Sequence, residues 1–377
     1  MTLVTPGVWW LLLAWITATG ACFGSFMNVV IYRVPAGLSI SYPPSRCPKC
    51  LHPIRGYDNI PVLSWMILRG KCRDCGNPIS ARYPSVEALV AFVTMTLALT
   101  LVFPGTADLS DYLRVVVVRR PWILWSLLGG HVLVACTLIC AALIDFDRQR
   151  MPLRLFVPAM LVGGVFAGWF PEFTRLGVTG LERLAWGENL LRAICEMALG
   201  AVCGVAIAPL RAAWESSPGA PLAERARPYV PTFSVIALWL GWPVVVGVTI
   251  LSTVVAVTVR LFERDRRNEG AAGAVGGGKD GRSGRRSHSR GVADDGGGGK
   301  SVDGGGESLA RRRIPLLAIV VVLTIGTLIA WRWLLGRLPM LVGDLGWTYL
   351  LGSLGIAVGV AAMLAACVAE PSHWSYG

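Results

Sequence analysis

Four cysteines carry the clearest chemistry in this chain. Cys47-Pro48-Lys49-Cys50 and Cys72-Arg73-Asp74-Cys75 are two CxxC pairs with 21 residues between them. Each pair lets two thiolates converge on one ion, and two pairs together close a tetrahedral shell of the kind that holds zinc. Pro48, Gly76 and Pro78 supply the tight turns such knuckles need. A shell of four protein ligands leaves no position open for a substrate, so the metal's role is to hold a small loop together. Redox or unrelated cysteines are the alternative reading; a reducing compartment disfavours disulfides. The other six cysteines, Cys22, Cys136, Cys140, Cys195, Cys203 and Cys367, fall in or beside apolar runs and read as small apolar residues. Cys136 and Cys140 stand one helical turn apart, which packing explains.

The loop holding these cysteines interrupts a chain that is otherwise built for lipid. Of 377 residues, 54% are hydrophobic and 15% charged, with a mean hydropathy of +0.57. A soluble domain of this length needs far more surface charge. The apolar residues form long runs at 8–31, 86–103, 122–144, 155–170 and 191–210, near the roughly 20 residues that cross a hydrocarbon core. Residues 229–261 are too long for one ordinary span, and Leu240-Gly241-Trp242-Pro243 punctuates them, so they read as two short spans. Runs at 315–333 and 347–369 complete the set. Backbone polar groups inside lipid must be satisfied within the segment, so the runs read as helices. The expected fold is an all-α polytopic membrane protein of about eight to nine transmembrane helices with a small cytoplasmic zinc-ribbon-like insertion.

The net charge of +12 is placed for orientation rather than for nucleic acid. Residues 33–82 hold Arg33, Arg46, Lys49, Arg55, Arg69, Lys71, Arg73 and Arg82 against Asp58 and Asp74. That loop is expected inside, with the N-terminus outside; the basic stretches 148–154, 211–227 and 260–313 then also fall inside. No basic residue precedes the first apolar run, so it reads as an uncleaved span rather than a signal peptide, despite Thr19-Gly20-Ala21-Cys22. The expected organisation is a first span (1–31), the four-cysteine module (32–85), a helical membrane domain (86–261), a disordered Gly/Arg-rich linker with almost no large apolar residues (262–313) and a C-terminal hairpin (314–377). Arg285, Arg286 and Arg290 could meet anionic headgroups, but a solvated tether explains them as well.

At the end of the first span stands Gly24-Ser25-Phe26-Met27-Asn28, followed by Arg33-Val34-Pro35. The loop continues through Ser45-Arg46-Cys47, the stretch from Ile54 to Trp65, and the stretch from Arg69 to Pro84, and Glu87 follows. Over roughly residues 20–89 this resembles, without a gap, the N-terminal half of bacterial type IV prepilin peptidases. The resemblance implies a multi-pass protein of the bacterial inner membrane with its zinc loop and linker in the cytoplasm. The implied activity is that of a membrane aspartic endopeptidase, cutting leaders of type IV prepilins or type II secretion pseudopilins. Many members then methylate the new N-terminus with S-adenosylmethionine. The implied partners are prepilin or pseudopilin substrates and the bilayer, with no nucleic acid. Ile144-Asp145-Phe146-Asp147, running on to Pro152, is similar to the family's first aspartate motif and puts Asp145 in the catalytic position. Asp147 is the weaker candidate, because residues two apart do not face each other on a helix.

The family's second aspartate follows glycines at the start of a later span. Gly200 to Gly204 resembles the span before it and Leu238 to Trp242 the turn after it, which places the acid near Pro228 and Tyr229. Ala226-Arg227-Pro228-Tyr229-Val230-Pro231 holds no carboxylate there. Glu224, one turn upstream, is the substitute acid if its loop folds back; Glu215 shares that loop. Gly343-Asp344 falls on the opposite face by charge, and Glu196 reads as an anchor or pairing residue. Two functions stay open: a working leader peptidase, or a catalytically inactive homologue acting as a membrane scaffold or prepilin-binding protein. A zinc protein of the membrane unrelated to pilins is a third, more distant reading.

Overall fold

The computed structural model describes residues 6–101, 121–169, 186–215, 221–241, 244–258 and 316–335. The expected linker, the 347–369 run and Asp344 lie outside the described residues. By its contacts the chain divides into Met1–Val254 with Ile314–Gly377 and, separately, Val255–Arg313. Apart from the helical residues 255–258, everything below concerns the first unit.

In chain order the helices are α1 (Pro6–Arg33), α2 (Leu63–Ile67), α3 (Arg82–Leu101), α4 (Pro121–Phe146), α5 (Val157–Trp169), α6 (Trp186–Glu215), α7 (Leu222–Ala226), α8 (Tyr229–Leu240), α9 (Val244–Thr258) and α10 (Leu316–Leu335). Four of them, α1, α3, α4 and α6, are long and apolar enough to cross a membrane. Shorter apolar stretches are Val157–Gly168 in α5, Val244–Thr258 in α9 and Leu316–Gly326 within α10. Four of the expected eight to nine spans are thus met among the described residues, and the others expected fall on these shorter stretches, on α8 or outside those residues. The 229–261 run is broken where its glycine predicts: α8 ends at Leu240, and Gly241, at φ 82°, donates its N–H to Ala237 O at 2.8 Å.

Two glycine-lined crossings bring the helices together. On α1, a Cβ at Gly24 would lie 2.6 Å from the Glu87 Cα of α3. On α6, a Cβ at Gly204 would lie 2.7 Å from the Val230 Cα of α8. Only glycine permits backbones this close, the membrane analogue of small-residue packing. The α6–α8 pair is antiparallel, since Ser234 Oγ donates to Met197 O at 3.1 Å while Gly204 faces Tyr229.

Trp239 joins α8 to both α4 and α5. Its Nε1 donates to Ala159 O at 2.9 Å, and its ring meets His131 edge-on at 5.9 Å and Phe166 at 5.7 Å. Gly130 and Gly163 make the room: a Cβ on either would lie 2.5 Å from the indole. The remaining structure is the insertion between α1 and α3, held by two isolated antiparallel bridges, Arg46 with Pro53 and Lys71 with Pro78.

Candidate functional site

The two bridges belong to two matching knuckles. In the first, Leu51 N–H donates to Cys47 O at 2.9 Å and Cys47 N–H to His52 O at 3.0 Å. In the second, Gly76 N–H donates to Cys72 O at 2.9 Å and Cys72 N–H to Asn77 O at 2.8 Å. Leu51 and Gly76 occupy the same left-handed position, at φ 60° and 69°. The repetition aims all four thiols at one point: the Cys47, Cys50, Cys72 and Cys75 sulfurs lie within 4.8 Å of one another. A tetrahedron with Zn–S bonds of about 2.3 Å has edges of about 3.8 Å, and Cys47 Sγ to Cys75 Sγ is 3.8 Å. That is nearly twice a disulfide bond length. The donor set and its geometry fit zinc.

Around the knuckles, Arg73 chelates Asp58 through Nε and Nη2 at 2.6–3.1 Å, and its guanidinium lies 5.5 Å from the Tyr57 ring centre. Arg55 holds Asp74 at 3.0 Å. These hydrogen bonds from Arg73 keep the Asp58 carboxyl below its ordinary value, against a smaller opposing effect of desolvation. Where the chain leaves α1, Arg33 donates to Ser39 O at 3.0 Å and Pro43 O at 2.7 Å. Arg154, from the turn before α5, donates to Val34 O.

Asp145 sits in the last turn of α4, 5% exposed. The helix ends in a Schellman cap just beyond it. Gln149 N–H reaches Ile144 O at 3.2 Å and Arg148 N–H reaches Asp145 O at 3.0 Å, with Arg148 left-handed at φ 54°. Asp147 is also buried, and it faces a different partner. Arg82 at the start of α3 grips both its oxygens, Nη1 to Oδ1 and Nη2 to Oδ2, each at 2.7 Å, with the side chains 5% and 2% exposed. Sequence reasoning treated Arg82 as one of several orienting charges and missed this role; its partner lies 65 residues away, so no local pattern announces it.

Glu224 is exposed on the single turn α7. Glu196 pairs with Arg192 at 3.5 Å, one turn earlier on α6. For Glu215 only the backbone is described, at the end of α6. Near Pro228 and Tyr229, where the resemblance leads one to expect the family's second aspartate, Tyr229 opens α8 with no exposed surface, its backbone against Gly204. Cys140 is buried and Cys136 half-buried on α4.

Residues 18–101 match the family model for the bacterial peptidase A24 N-terminal domain. Among curated relatives, a prepilin leader peptidase/N-methyltransferase of Myxococcus xanthus is 42% identical over 144 residues, 38% of this chain and 37% of the relative. One of Aeromonas hydrophila is 35% identical over 195 residues, 45% of this chain and 60% of the relative. One of Stutzerimonas stutzeri is 30% identical over 247 residues, covering 54% of this chain and 77% of the relative. The chain thus spans between 37% and 60% of the length of the first relatives it matches. No solved structure matches. With its four-thiol module, its glycine-lined α1–α3 crossing and a relative matched over most of its length, this chain belongs to the prepilin leader peptidase/N-methyltransferase family.

Proposed function

We propose that this chain receives the leader of a type IV prepilin or type II secretion pseudopilin at the cytoplasmic face of the bacterial inner membrane, on a prepilin peptidase-type aspartic site built around Asp145. The observation that supports it is a buried acid at the end of α4, capped by its own helix end and braced through its neighbour Asp147 by Arg82. In an aspartyl mechanism one carboxylate takes a proton from the attacking water while its partner protonates the leaving amide. Asp145 is assigned the first of these roles. Glu224 is the candidate for the second and would have to swing inward from an exposed turn.

Tyr229 favours a second reading. A buried phenol donates a hydrogen bond but, with an ordinary pKa near 10, does not share a proton with a carboxylate as an acid pair does. In that reading the chain binds leaders and scaffolds their handling without cutting them.

The name of the relatives also brings S-adenosylmethionine into the proposal as a methyl donor. The larger cavity, about 880 Å³ between α1 and α4, is lined chiefly by apolar residues such as Phe23, Met27, Leu128 and Val132. That lining does not fit a donor carrying an amino acid and a sulfonium charge, and no step is drawn through it.

The deciding experiment incubates the purified full chain, in lipid vesicles, with a prepilin and follows leader mass and co-purification. The expected result is an intact leader that remains bound, as the scaffold reading requires. Cleavage abolished by Asp145→Asn would establish the peptidase, and its loss on Glu224→Gln would identify the second acid. A prepilin neither bound nor cut overturns both readings.

A further inference from the structure

The stretch between the two knuckles does not stay above the membrane helices. Val62 N–H donates to Glu87 Oε2 at 2.7 Å, and Glu87 lies five residues into α3, about 7 Å beyond Arg82 at 1.5 Å per residue. Glu87 in turn packs on Gly24, nine residues, or about 13 Å, inside the Arg33 end of α1. Residues 60–63 also help line a cavity of about 540 Å³ with Trp10, Ala14, Ala18 and Cys22 of α1 and Ala91 and Met95 of α3. All six of those residues lie within the two spans Gly7–Arg33 and Arg82–Thr100.

What this segment shows to its surroundings is apolar. Leu63 is 55% exposed, Met66 62% and Ile67 71%. Trp65 turns the other way, its Nε1 donating to Ile79 O of the module at 2.9 Å. The backbone is prepared for a medium without water. Ile60 N–H is taken by Ser64 Oγ, Val62 N–H by Glu87, Leu63 N–H by Pro61 O, Ser64 N–H by Ile60 O and Met66 N–H by Val62 O, at 2.6–3.2 Å. Such satisfaction is what hydrocarbon demands of an irregular segment. Arg69 and Lys71, both exposed, follow at once and have the reach to return to the headgroups.

We propose that residues 60–68 form a re-entrant element seated in the acyl region of one leaflet beside α1 and α3, so that the zinc module is anchored in the bilayer. The occupant of the Leu63, Met66 and Ile67 face is phospholipid acyl chain. The assignment rests on Leu63 lining one cavity with residues of both spans and on Val62 being seated against Glu87 inside α3, and it is independent of any proteolytic activity.

The test places the full chain, with its metal bound, in vesicles of phosphatidylethanolamine and phosphatidylglycerol. It is exposed in parallel to water-borne hydroxyl radicals and to a phospholipid bearing a photoreactive acyl chain, and adducts are mapped by mass spectrometry. Tyr42 and Tyr57, 76% and 61% exposed on the module, report contact with water. The expected result is oxidation of Met66 about tenfold or more slower than at the two tyrosines, because hydrocarbon excludes water, together with acyl adducts on residues 63–67. Oxidation of Met66 at the tyrosines' rate, or the absence of acyl adducts on those residues, overturns the proposal.

Discussion

Arg82 and Asp147 form a two-pronged, fully enclosed ion pair that fastens the first residue of α3 to the end of α4, two positions past Asp145. Removing one partner strands the other charge in a dry environment, which typically costs about 3–5 kcal/mol. Asp147→Leu and Arg82→Met should each lower the thermal midpoint of the purified chain sharply. The double variant Arg82→Met with Asp147→Leu should recover much of the loss, since a buried pair and a well-packed apolar pair are often similar in stability. Thermal unfolding of the four proteins in one detergent checks this; losses that simply add would show that the two residues are not coupled.

Metal analysis should find one zinc per chain, and Cys47→Ala or Cys72→Ala should abolish it. Apparent zinc affinities at such sites amount to about 10–16 kcal/mol of coupled folding energy. Chelation is therefore expected to open the insertion to protease between Ser45 and Ser80 while leaving the apolar helices protected. Unchanged cleavage patterns after chelation would remove the metal from its architectural role.

Acid should break the module's metal shell and its Asp58–Arg73 pair together. The Asp58 carboxyl is held below 3.8 by Arg73. A lowered folded pKa gives stability that is present above the unfolded value and is lost only as pH falls through the lower, folded one. Thiolates give up zinc to protons at higher pH than that. On titration downward from neutrality, metal release is expected to come first and, because the module folds around its metal, to break the Asp58–Arg73 pair with it, above the pH at which Asp58 itself would titrate. A pair that persists after the metal has left, followed by a zinc indicator and by the carboxyl resonance of Asp58, would contradict this.

The helix crossings make a contrasting set of glycine variants. Gly24→Leu and Gly204→Leu thrust a side chain onto backbone atoms at 2.6 and 2.7 Å, which cannot yield as a side-chain tip does. Overpacking of this kind costs about 1–3 kcal/mol or more. Gly164, on α5, has nothing within 4 Å of an added Cβ, and Gly164→Ala should be neutral or stabilising by up to about 1 kcal/mol. Thermal midpoints of the three variants give the comparison directly.

What the sequence discloses here is whatever chemistry acts over short distances along the chain. The CxxC spacing names its metal because a knuckle is a local turn, and the apolar runs name helices because lipid leaves the backbone no alternative. The break at Gly241 is legible for the same reason. Arg82 and Glu87 were both in view as parts of a motif, yet their work is with Asp147 and Val62, 65 and 25 residues away. A charge at a membrane edge looks alike whether it orients the chain or bridges two helices, and only the fold distinguishes them. Run length and helix length also differ: the apolar run at 155–170 measures hydrophobicity, whereas α5 is a 13-residue helix.

The indole of Trp239 bears on how the protein is made. Its seat, between Gly130 of α4 and Gly163 of α5, belongs to helices that leave the ribosome well before the tryptophan does. Until α8 is synthesised, the earlier hairpin carries a notch with nothing in it and Ala159 O lacks its indole donor. Assembly of this half of the protein is thus gated by a late arrival: truncation before Trp239 should leave an inserted but unsettled intermediate, the kind of species that membrane quality control removes.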